Sequence, residues 1–171
     1  MVDLYYMDDK LLLVSLNRFY SSKKNLEEIS SIILGTSKLS LRLIDWYVTT
    51  HCKRHNIVYI LNNNEYFNVY LNYRSQLKAF KKTQFDPFRR RERITFSVDN
   101  DNNVYTTIGQ LNFFRWAIQN KILKTIEKNL NHLETLMLSE QKNKFYSDIT
   151  KQKSSIKHMT TFSGNAYISF A

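Results

Sequence analysis

Aromatic and cationic side chains are interleaved between residues 66 and 93, and the stretch ends in a run of arginines. Its cations are Arg74, Lys78, Lys81, Lys82, Arg89, Arg90, Arg91 and Arg93, set among rings that include Tyr66, Tyr70, Tyr73 and Phe80. Flat rings can stack on bases and cations can neutralise phosphates, so the combination is the chemistry of a nucleic-acid surface. On that reading the eight cations meet the backbone, while Tyr66 and Tyr70, with Tyr73 beside them, meet bases. A plainer reading of the same residues is a half-buried strand and a solvated charged turn, since aromatics in strands usually pack in cores. The most distinctive part is QFDPFRRRER over residues 84–93. Pro87 restricts its own φ and biases Asp86 towards extended backbone. Phe85 and Phe88 are expected to anchor this loop in the core and so hold Arg89 to Arg93 rigidly. A rigid guanidinium cluster recognises phosphate or carboxylate better than a mobile one. Asp86 and Glu92 can offset part of its charge.

Other reactive side chains are sparse. His51 and His55 are one helical turn apart, a spacing that can hold zinc. No glutamate of an HExxH motif accompanies them, and Lys53 and Arg54 between them repel a cation. Further ligands would have to come from Cys52, His132, His158 or a distant carboxylate, so no metal is expected. A nucleophilic Cys52 would need a positioned base. His51 points elsewhere on a helix, His55 could approach, and the apolar stripe through Cys52 reads as a buried, inert thiol. Asp45 beside Trp46 reads as half of a structural ion pair, with Arg42 or an arginine of the 89–93 run. Glycine-rich phosphate loops, serine nucleophile elbows and paired carboxylates are absent from the sequence. The expectation is a protein without enzymatic activity and without a cofactor.

The totals agree with an anionic partner. The 171 residues suffice for one domain with a core. Lys and Arg number 25 against 15 Asp and Glu, a formal charge of +10. Residues 61–100 hold 8 basic and 4 acidic side chains, the densest positive excess in the chain. Such an excess favours nucleic acid, an acidic protein surface or anionic lipid without choosing among them. One cysteine forms no intrachain disulfide and fits a reducing compartment. No apolar run is long enough to span a bilayer, and Asp3, Asp8 and Asp9 do not suit a signal peptide. A soluble cytosolic or nuclear protein is expected.

These side chains must be positioned by a fold, and the patterning predicts α+β: a small, mainly antiparallel sheet with two or three helices. Residues 10–19, mostly apolar, read as a buried strand. Leu26, Ile29, Ile32 and Ile33 follow at helical spacing, with Asn25 as cap and Gly35 as stop. Ser40 caps a second helix over residues 41–55. A strand at 57–61 and an alternating strand at 66–80 read as a hairpin around residues 62–65, and strands at 94–98 and from 104 as another around 99–103. Thr107 and Gln110 match a capping box. A long helix over about 108–138 follows, which Asn129 and Asn131 could break; unbroken, its far end needs another chain to pack on. Phe67, Val69, Leu71, Leu111, Phe114 and Ile118 are the expected core. The organisation is then one domain over 1–138, a polar linker over 139–157, and a final strand or tail over 158–171.

The strings LSLRLIDWYVTTHCKRHNIVY, FNVYLNYRSQLKAFKKTQFDPFRRRERITF and TTIGQLNFFRWAIQNKIL, within residues 39–126, resemble an uncharacterised family of giant nucleocytoplasmic large DNA viruses. The resemblance implies a viral protein acting in the host cytoplasm or nucleus during infection, or packed in the virion. It brings no activity and no catalytic residue. Two functions are expected to compete. One is a non-enzymatic protein binding DNA or RNA with little sequence preference. The other is a structural virion component or protein-interaction module, self-associating or meeting an acidic protein.

Overall fold

A computed structural model of the chain describes residues 2–61, 64–97 and 103–156, with side chains described from Asp9 to Ile149. The class is α+β, with more helix than the sequence suggests and, among the described residues, two separate two-stranded antiparallel sheets in place of one small sheet. In order, the chain forms α1 (Val2–Tyr20), α2 (Lys23–Ile33), α3 (Leu41–Trp46), a π-helical turn (Tyr47–His51) and α4 (Cys52–His55). Then come β1 (Val58–Ile60), β2 (Tyr66–Asn68), α5 (Val69–Ala79) and a 3-10 turn (Lys82–Gln84). Strands β3 (Ile94–Ser97) and β4 (Asn103–Thr106) precede α6 (Ile108–Gln119), α7 (Ile122–Lys128) and α8 (Leu130–Ile156). Two compact units result, residues 1–134 and 135–171. No helix among the described residues is long and apolar enough to cross a membrane.

Two expected strands are helices. Residues 10–19 lie in α1, where Leu16 and Tyr20 are buried one turn apart while Leu11 and Val14 are exposed. That is helical, not two-faced, burial. Residues 69–79 form α5, started by Asn68, whose side chain accepts from the Leu71 amide at 2.9 Å. Val69 and Tyr73 share its buried face. Leu71, two residues from each, is 60% exposed. A strand would have put all three on one side; Leu71 therefore leaves the expected core, and Ile118 is only half-buried, while Phe67, Val69, Leu111 and Phe114 are buried.

The helix expected over 108–138 is divided in two places. Lys121, at φ 57°, breaks it after α6, and Asn129 ends α7. The stretch expected as a polar linker is helical from 139 to 156, as part of α8. The expected final strand lies outside the described residues, as does the expected 99–103 turn except for Asn103, which opens β4. Ser40 caps α3 as expected, accepting from Leu43 at 3.1 Å. Gly35, at φ 74°, follows α2, but Ser22 rather than Asn25 occupies the N-cap.

Helix α6 organises the first unit. Leu111, Phe113, Phe114, Trp116 and Ala117 are all buried, so it is apolar on several faces, as a central helix must be. Tyr20 of α1 donates its hydroxyl to the Leu111 carbonyl at 2.7 Å. Trp116 donates to Asn72 of α5 at 2.7 Å. Phe85, completely buried, lies within 6 Å, centroid to centroid, of Tyr73, Phe80, Phe113 and Trp116. Burial of a phenylalanine in such a cluster stabilises by roughly 3–5 kcal/mol relative to alanine.

Candidate nucleic-acid interface

The arginine run sits on a loop that is fixed from both sides. Phe85 sinks it into the ring cluster, and Pro87 is buried beside it. Phe88, expected as a second anchor, is instead 47% exposed. Asp86 folds the turn: its carboxylate accepts from the Phe88 amide at 2.9 Å, and its carbonyl from the Arg89 amide at 3.3 Å. Gly109 of α6 presses against the same turn. A Cβ there would come within 2.7 Å of the Thr83 carbonyl oxygen and 3.0 Å of the Asp86 amide nitrogen. Only glycine permits that approach of backbone to backbone.

A polar chain completes the attachment. Asn112, 1% exposed, donates to the Gln84 carbonyl at 2.9 Å. Gln84 donates to the Asp9 carboxylate at 2.6 Å. Arg115 donates to the Asn112 side chain at 2.6 Å and to Ser15 at 2.9 Å. Burial lowers the Arg115 pKa, partly offset by Tyr20. Each buried polar group of the junction has a partner, which is what a rigid polar contact requires.

The ten expected contact residues are distributed over several elements. Tyr66 stands on β2, 81% exposed. Tyr70, Arg74 and Lys78 follow at four-residue intervals along α5, and so form a stripe on a helix rather than the face of a strand. The Tyr70 ring is half-buried and has the Lys53 ammonium 5.5 Å from its centroid. Lys82 is exposed on the 3-10 turn and Lys81, half-buried, precedes it. Arg89 pairs with Glu92 at 2.8 Å, Glu92 adopting φ 56°. Arg90, Arg91 and Arg93 are exposed, with no carboxylate in ion-pair range among the described residues.

Arg89, Arg90 and Arg93 line a notch of about 240 Å³ together with Phe88, Tyr105 and Gln110. Thr107, which also lines it, caps α6 by accepting from the Gln110 amide at 3.1 Å. Only this half of the expected capping box forms; the Gln110 side chain accepts from Thr106 at 2.8 Å instead. The positive end of the α6 dipole adds to the field of the arginines there. Tyr105, 69% exposed and paired across the strands with Thr95, escaped the sequence reading. The polar turn around residues 99–103 hid its register, and only the β3–β4 pairing brings it opposite the arginine loop.

The other candidates are placed differently. His51 and His55 bring their rings to 4.6 Å, centroid to centroid, and His51 stacks on Tyr47. Among the described residues, no three metal-binding side chains converge. Cys52 is buried, and burial pushes its thiol up to about 12. Among the described residues Asp45 forms no ion pair, contrary to what its sequence context suggested. Burial and then the charge of Asp86 raise its carboxyl pKa.

A profile of a family of unknown function (DUF7197) matches residues 4–166. An uncharacterised protein of Acanthamoeba polyphaga mimivirus is 36% identical over 126 residues, covering 68% of this chain and 49% of that protein. The chain thus aligns with about half the length of this curated relative. No solved structure matches the chain.

Proposed function

The chain belongs to this family of unknown function, uncharacterised in giant DNA viruses, and from that premise we propose that it is a non-enzymatic protein that binds nucleic acid through phosphates. The observation that carries the reading is the arginine loop. Arg90, Arg91 and Arg93 are exposed, without a carboxylate in ion-pair range among the described residues, on a turn fixed by Phe85, Gly109 and Asn112. Guanidinium groups engaged inside the fold would have been explained by stability alone. Guanidinium groups carried on a fixed turn, with no carboxylate in range among the described residues, suit an external anion, and the chain's +10 charge favours a polyanion. Arg74 and Lys78, exposed in line with Tyr70 along α5, supply further cations. Backbone contacts of this kind read no sequence, so binding has little base preference. The viral relative suggests action in the host cytoplasm or nucleus during infection, or in the virion.

Titration of a labelled oligonucleotide at several salt concentrations tests the reading. Affinity falls steeply with salt, and changing Arg90, Arg91 and Arg93 together to serine flattens the slope by about two units on single strands, with the melting temperature preserved. No affinity for any nucleic acid at low salt would refute the proposal. The second reading, an interaction module, draws on exposed Leu138, Phe145 and Tyr146 along α8. It predicts self-association that persists at high salt.

A further inference from the structure

We infer that the arginine notch seats one unpaired nucleotide, which makes a single strand the preferred form of nucleic acid. This inference rests on the nucleic-acid reading above and adds the strand state. The notch joins two kinds of group in one place. Arg90 and Arg93 supply open cations, and Phe88 and Tyr105 supply rings that are 47% and 69% exposed. Neither ring is needed for the core, which has Phe85 and Phe113 at its centre. Duplex DNA or RNA could satisfy the arginines through its outward phosphates. It could not reach the rings, because its bases are stacked and paired inside. A base outside the stack can lie on an aromatic face while the phosphate beside it meets a guanidinium.

Size points the same way. At about 240 Å³ the notch is smaller than the roughly 300–1,000 Å³ clefts that enclose whole drug-sized ligands. It suits one phosphate with part of one base, the rest of the strand running outside. Every base offers a π face, so the seat discriminates strand state rather than sequence.

The full chain, tested with a labelled single strand and the duplex of the same sequence at low salt, decides the matter. The wild type binds the single strand more tightly. Tyr105→Ala weakens single-strand binding by about tenfold or more and leaves duplex binding unchanged, while Tyr105→Phe keeps wild-type affinity. Should Tyr105→Ala lower the melting temperature, Phe88→Ala is read in its place against the same two ligands. Equal loss on both ligands, or no loss on either, overturns the nucleotide seat while the salt-dependent binding still stands. Failure of the wild type to bind either ligand overturns the seat and the general reading together.

Discussion

Burial and the neighbouring charge of Asp86 raise the Asp45 carboxyl above its ordinary value. An acid whose pKa is higher in the folded chain binds its proton more tightly there. Its contribution is most favourable below the unfolded pKa, about 3.9, and is lost as pH rises through the folded value. Asp45→Asn removes that loss. The variant melts at a higher temperature than wild type at pH 7, and the gap closes as the pH falls below about 4; a gap independent of pH would show that ionisation is not its cause. Cys52 follows the same physics. With its thiol at about 12 and its side chain buried, it resists a disulfide reagent at pH 8 in the native protein and reacts once denaturant opens the fold. Native reaction at the rate of a free cysteine would contradict that burial. Arg89 and Glu92, an exposed pair, contribute at most about 1 kcal/mol.

Elements meet most closely where α6 crosses the loop ahead of the arginines. Gly109→Ala places a methyl group against backbone atoms of Thr83 and Asp86, which have no flexible end to give way. The variant melts lower than wild type and, under the proposed function, also binds nucleic acid more weakly, because the loop carrying Arg89 to Arg93 must shift. Calorimetry and the oligonucleotide titration separate the two effects. Phe85→Ala empties the centre of the ring cluster at a cost of roughly 3–5 kcal/mol, and a denaturant midpoint equal to wild type would mean the ring is not packed as described. Asn112→Ala leaves the Gln84 carbonyl without its buried donor, at about 1–3 kcal/mol. None of these positions touches solvent enough to contact a ligand directly, so their effect on binding passes through the loop.

The whole molecule combines a positive excess with two units of different character. The first unit contains the ring core, both hairpins and all ten residues expected to contact nucleic acid. The second begins at Thr135 and carries exposed Leu138, Phe145 and Tyr146. The net charge of +10 makes long-range attraction of a polyanion strong at low ionic strength and weak above physiological salt. Sedimentation at low and high salt, with and without oligonucleotide, therefore distinguishes the two readings of function. Nucleic-acid binding predicts a monomer that gains mass only with oligonucleotide and only at low salt. A higher-order species at high salt, abolished by Phe145→Asp, would favour the interaction module instead.

Much of the local chemistry was legible in the sequence because it depends on neighbours along the chain. Ser40 and Thr107 announced their helix starts through side chains that reach an amide three residues on. The strands near 58 and 94 were marked by β-branched runs, and the α+β class followed from the mixture of periods. The same local signals misled where one string carries two periods. Val69, Leu71 and Tyr73 alternate like a strand, yet Val69 and Tyr73 also lie one helical turn apart, and packing against α6 chose the helix. The apolar run of α1 carried the same ambiguity. The break at Lys121 had no residue signal of its own, since a lysine at positive φ is held only by its surroundings. The arginines themselves were plain in the sequence, but their openness was not. Whether a guanidinium meets a carboxylate depends on which segments fold beside it, and so does the meeting of Arg90 and Arg93 with Tyr105 across the β3–β4 hairpin. Side-chain types follow from the sequence alone; the distances between residues far apart in the chain exist only once the core around Phe85 has closed.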